Sequence, residues 1–187
     1  EEFKADSIQM GRTLNIEGDS YLITADQFTA KEQAEQKEEF RTKGLEAYLA
    51  ASVAAKAAMA QKPEQEEYFK NVAAEAIWKA CDQYLTNENS AKVLEKYDEF
   101  FPDFVDTGWE PQISIFALDT LEQNGRASEG LTQVEKMINQ IGNRAPEEQD
   151  MDLLRKAIGS YSEASVRVRG AEETLNILDN FPGIDKS

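Results

Sequence analysis

With no histidine in its 187 residues, this chain has one cysteine and 36 aspartates and glutamates with which to do chemistry. Lack of histidine removes the commonest general base, the usual relay for a serine or cysteine nucleophile, and the commonest metal ligand. A lone cysteine can form neither an intrachain disulfide nor a thiolate zinc site. Cys81 has Trp78 and Ala80 before it and Tyr84 and Leu85 after it, which reads as a buried helix position with an inert core thiol. Carboxylates cluster at Glu64, Glu66 and Glu67, and again at Glu147, Glu148, Asp150 and Asp152. Paired carboxyl groups hydrolyse glycosides when a cleft holds them. Both clusters follow prolines at expected helix starts, where negative charge favours the helix dipole without catalysis. The sequence has neither a Gly-rich phosphate loop nor EF-hand spacing. It therefore reads as a non-enzyme that needs no cofactor and no metal.

The formal net charge is −16. Nucleic acid and anionic membranes are disfavoured, because binding either takes a surplus of Lys and Arg. A basic protein or peptide partner is favoured by the same field. No apolar run reaches about 18 residues, so no transmembrane span is expected. Arg155, Lys156, Arg167 and Arg169 form the main basic patch, read as balancing acidic neighbours. The chain begins at Glu1 rather than Met, as a processed or trimmed product would. Removal of an export signal would place it in a bacterial periplasm or on a lipoprotein anchor.

These groups need elements to carry them, and the composition is rich in helix formers. Residues 1–24 read as an N-terminal arm or a short hairpin around Gly18-Asp19. Helix is expected from Thr24, where Thr24 with Gln27 and Thr29 with Glu32 have capping-box spacing. Gly44 is a candidate break, and Pro63 ends an Ala-rich helix over 45–61, giving a helical pair across 25–63. Residues 64–187 read as three helix-pair repeats. Turns are expected at Thr86 to Asn89 and at Asn124-Gly125-Arg126, while Ser165 to Arg169 can continue a helix.

The repeats show in register at a spacing of 40 residues. Small residues open three segments at Ser90, Gly130 and Gly170. Apolar residues recur at Tyr97, Met137 and Ile177 and at Phe101, Ile141 and Phe181, and a breaker closes each at Pro102, Gly142 or Pro182. The preceding helices keep phase through Trp78, Leu118 and Ile158 and, three residues on, Cys81, Leu121 and Tyr161. One amphipathic pair cannot bury its own apolar face, whereas stacked pairs build a continuous core.

Residues 89–102, Asn89-Ser90-Ala91-Lys92-Val93-Leu94-Glu95-Lys96-Tyr97-Asp98-Glu99-Phe100-Phe101-Pro102, resemble the second helix of a tetratricopeptide repeat. There a small residue opens the helix and a proline follows its end. The resemblance covers about residues 64 to 182. It departs in period, since that family repeats at about 34 residues, and in having large residues at Trp78, Leu118, Ile158, Tyr97, Met137 and Ile177. It implies an all-α fold of stacked antiparallel helix pairs, wound into an α-α superhelix whose first helices line a groove for a peptide or protein. The implied function is that of an adaptor, assembly factor or chaperone-like module. By register the groove face carries Glu75, Lys79, Asp82, Asp119, Glu122, Asp152, Arg155 and Glu163. Phe100, Phe101, Phe104 and Trp109 fall in a connection, as core at a joint or as a partner hot spot at Phe104 and Trp109. The alternative is a structural subunit that homo-oligomerises through its N-terminal helices, with 45–61 as the interface.

Overall fold

The computed structural model describes residues 7–104, 107–145 and 150–182. Glu147, Glu148 and residues 183–187 lie outside these, as do the side chains of Phe100 and Phe101. Every regular element among the described residues is helical. The chain divides by its contacts into two units, Glu1–Glu110 and Pro111–Ser187.

In the first unit α1 (Ser7–Gln27), α2 (Ala34–Gln61), α3 (Glu66–Thr86) and α4 (Ser90–Phe100) follow one another with short 3-10 turns between or after them. The arm or hairpin expected over residues 1–24 is instead helix from Ser7 onward. The helix start expected at Thr24 is likewise corrected. Thr24 lies inside α1, and its hydroxyl donates 2.8 Å to the Ser20 carbonyl one turn back. Gly11, Asn15, Gly18, Leu22 and Ala25 recur at alternating steps of four and three residues, which is one stripe of a helix. On α2 the buried Gly44, Ala47, Tyr48, Ala51, Ala55 and Ala58 have the same kind of spacing. The two stripes pack along each other. A Cβ on Gly18 would lie 2.4 Å from Tyr48 Cε1, and one on Gly44 would lie 3.2 Å from the Gly18 carbonyl oxygen. Glycine permits this backbone approach, so Gly44 is a packing residue and not the break its type suggests.

The other side of α2 meets α3. Along α3 the buried positions are Phe69, Val72, Ala73, Ala76, Ile77, Ala80 and Cys81, at helical spacing. The buried alanines of the helix over 45–61 thus pack within the chain, while Ala50, Val53, Ala57 and Ala60, spaced by three and four residues, stay exposed on it. Cys81 is buried, and burial pushes its thiol up to about 12. A thiol-specific disulfide reagent at about pH 8 is therefore expected to label the native chain far more slowly than the denatured one. Equal rates, followed by absorbance of the released thiol, would show that Cys81 is accessible.

The second unit holds α5 (Glu110–Gln123) from its second residue on, α6 (Ala127–Gly142), α7 (Met151–Arg169) and α8 (Ala171–Leu178). Its core joins Ile115 and Leu118 of α5, Leu131, Val134, Met137, Ile138 and Ile141 of α6, Leu154, Ala157, Tyr161 and Ala164 of α7, and Phe181. Asp150 caps α7 by accepting from the Leu153 backbone N–H at 2.9 Å, and Asp152 lies in the first turn. That is the helix-start role read from this cluster.

Among positions in register Cys81, Leu121 and Tyr161 are all buried, but Ile177 is half-buried where Tyr97 and Met137 are buried, and Trp78 and Ile158 are half-buried where Leu118 is buried. Gly130 differs from expectation: α6 begins at Ala127, so Gly130 lies one turn inside, where a Cβ would come within 2.9 Å of Leu118 Cδ1. The fold is all-α, with helices packed on their neighbours, and is compatible with a helical repeat.

Candidate functional site

Glu75, Lys79 and Asp82 fall on one side of α3 because they are spaced by four and three residues. Lys79 Nζ is 2.8 Å from Glu75 Oε1 and 2.8 Å from Asp19 Oδ2 on α1. It also stands over the Tyr48 ring at 5.5 Å, and the Tyr48 hydroxyl donates 2.7 Å to Asp19 Oδ1. Three helices are joined through one ammonium. Burial works to lower the Lys79 pKa, but hydrogen bonds to Asp19 and Glu75 outweigh it and hold the ammonium above its ordinary value. Burial, then the hydrogen bond to Asp19, raises the Tyr48 phenol. Both groups keep their protons at neutral pH and act as donors to the carboxylates beside them. Asp82 stays exposed, with Gln83 Nε2 at 3.4 Å from its Oδ2.

In the second unit Asp119 and Glu122 on α5 converge on Arg167 of α7. Its NH2 nitrogen lies 3.0 Å from Asp119 Oδ1 and 2.7 Å from Glu122 Oε2, and its Nε lies 2.9 Å from Glu122 Oε1. The fork-on-carboxylate geometry holds Glu122 below the usual carboxylate range. Glu163, one turn before Arg167, is exposed. Asp152 and Arg155 pair with each other at 3.2 Å on exposed α7 and reach no other helix through that bond.

A further, partly buried set was not anticipated from sequence. The Tyr161 hydroxyl donates 2.5 Å to Glu135 Oε1, which also accepts from Arg169 at 2.7 Å. Burial first, then this hydrogen bond, raises Tyr161 to about 12. The 26 residues between Glu135 and Tyr161 leave no local spacing signal for the pair.

Of the hot-spot residues, Phe104 is 2% exposed and belongs to the interior, with Lys56 Nζ 5.6 Å from its ring centre. A side chain so enclosed offers a partner no surface. Trp109 is half-buried and stacks on Trp78 at 5.0 Å between ring centres. Among the described residues there is no group of three or more His, Cys, Asp or Glu placed to hold a metal ion, and no helix is long and apolar enough to cross a membrane.

No family model matches the chain, and neither a curated protein nor a solved structure matches it.

Proposed function

We propose that the chain is a non-catalytic protein-interaction module of tetratricopeptide-like class, whose first helices hold a basic peptide or protein. An adaptor, an assembly factor or a chaperone-like subunit would all use such a surface. The observation that carries this reading is charge left over after internal pairing. On α5 and α7, Arg167 stands against three carboxylates, Asp119, Glu122 and Glu163. On α3, Asp82 remains exposed beside the Lys79 network. Opposite charge steers encounter and fixes register in such complexes.

Asp82→Lys with Glu163→Lys reverses charge at exposed positions and removes none of the hydrogen bonds that Lys79 and Arg167 make. Capture from lysate with the wild type, identification of the retained protein, and its loss with this double variant is the expected result. Equal retention by both proteins would move the site off these helices. A second reading, a structural subunit that self-associates through its N-terminal helices, draws on Ile16 and Ile23, which are 56% and 63% exposed two turns apart on α1. A mass that rises with concentration, with no captured partner, would favour it.

A further inference from the structure

Between α6 and α8 lies a groove of about 470 Å³. Its lining comes from Glu135 and Asn139 on α6, Glu173, Asn176 and Ile177 on α8, and Asn180 and Phe181 just beyond it. Ile177 is half-buried and Phe181 is buried, so they form the apolar base. The remaining lining is rich in acceptors. Asn139 Nδ2 donates 2.9 Å to the Glu135 backbone carbonyl, and Asn180 Nδ2 donates 2.7 Å to that of Asn176. Each amide spends one N–H on the preceding turn and keeps a second N–H and its carbonyl oxygen. Glu135 uses Oε1 for Tyr161 and Arg169. Glu173 is 61% exposed and stands 4.0 Å from Arg169 Nε, beyond hydrogen-bond distance.

No lysine or arginine is part of this lining, but Arg169 pairs with both of its carboxylates, Glu135 at 2.7 Å and Glu173 at 4.0 Å, which leaves one negative charge in excess. Acceptors therefore outnumber donors around an apolar base. An arginine side chain matches that arrangement on three counts. Its planar head brings five N–H donors, its charge complements the negative charge that Glu135 and Glu173 hold in excess of Arg169, and its methylene stem can lie on Ile177 and Phe181. Lysine offers three donors on a compact, strongly hydrated charge and matches it less well.

We propose that the groove between α6 and α8 is a subsite for an arginine side chain of a basic partner peptide, an inference that rests on the protein-binding reading above. The probe is a fluorescein-labelled peptide of alternating arginine and alanine, with its lysine counterpart, followed by fluorescence anisotropy. Glu173→Gln is expected to weaken the arginine peptide about tenfold. Glu172→Gln removes the same charge from the adjacent exposed position outside the groove, and is expected to weaken it less than about twofold. The lysine peptide should bind the wild type several-fold more weakly than the arginine peptide. Unchanged melting curves establish that neither variant disturbs the fold. Equal losses for the two variants, equal binding of the two peptides, or no binding to the wild type overturns the proposal. Loss with Asp82→Lys and Glu163→Lys but not with Glu173→Gln also overturns it, and leaves the protein-binding reading standing.

Discussion

Gly18→Leu is expected to destabilise the first unit by about 3 kcal/mol, near the top of the range for overpacking a filled interior. Even a methyl at this position would meet Tyr48 Cε1 at 2.4 Å. Tyr48 is 1% exposed, so its ring has nowhere to retreat without displacing α2 or α3. Moving the ring also breaks the hydroxyl's bond to Asp19, and with it one anchor of the Lys79 network. Urea unfolding followed by circular dichroism measures the loss. Gly159→Ala is the matched control. Gly159 is exposed on α7 and a Cβ there would meet nothing within 4 Å. Its replacement is expected to stabilise by about 0.5–1 kcal/mol through helix propensity alone. If the two substitutions had similar effects, the close approach of α1 and α2 would not be the reason for glycine at position 18.

Tyr161→Ala carries the second large effect, a loss of about 4 kcal/mol from the second unit. The side chain is fully buried, lies edge-on to Phe181 at 5.3 Å and joins α7 to α6 through Glu135. Tyr161→Phe keeps the ring and loses the hydroxyl, at about 1–2 kcal/mol. Hydrogen exchange should quicken over α6, α7 and α8 with the alanine variant and much less with phenylalanine. The two variants also separate by pH. The folded phenol keeps its proton up to about 12, whereas an unfolded tyrosine releases it near about 10. The stability it contributes is therefore fully present below about pH 10 and is lost as pH rises through the folded value. The phenylalanine variant lacks that part of the alkaline decline. An identical decline in both proteins would remove Tyr161 as its source.

The turns were the most legible part of the fold. Pro63, the turn before Ser90, Asn124-Gly125-Arg126 and the run from Ser165 to Arg169 all fall where the helices end or continue as read. Breakers act locally, and so does their signal. α1 was illegible for the opposite reason. Its inward stripe is Gly11, Asn15, Gly18, Leu22 and Ala25, so size and close approach replace apolarity as the pattern. Its more apolar Ile16 and Ile23 face outward, which invited a strand reading. At the candidate site, helical spacing was enough to group Glu75, Lys79 and Asp82. It could not show that Asp19 and Tyr48 would meet Lys79, since those contacts depend on how α1 and α2 cross α3. Arg167 was read as balancing nearby acids, but its partner Asp119 is 48 residues away and only the packing of α5 on α7 selects it.

The stacked indoles have a consequence for how this molecule is observed. Trp78 and Trp109 are its two tryptophans, and both belong to the first unit. The rings stack 5.0 Å apart, so their emission and their dichroism are expected to change when that stack opens. The second unit has no indole of its own and gives no signal under excitation selective for tryptophan. A melting curve drawn from tryptophan fluorescence therefore records the first unit, and an added indole beside Tyr161 would let the same signal follow the second.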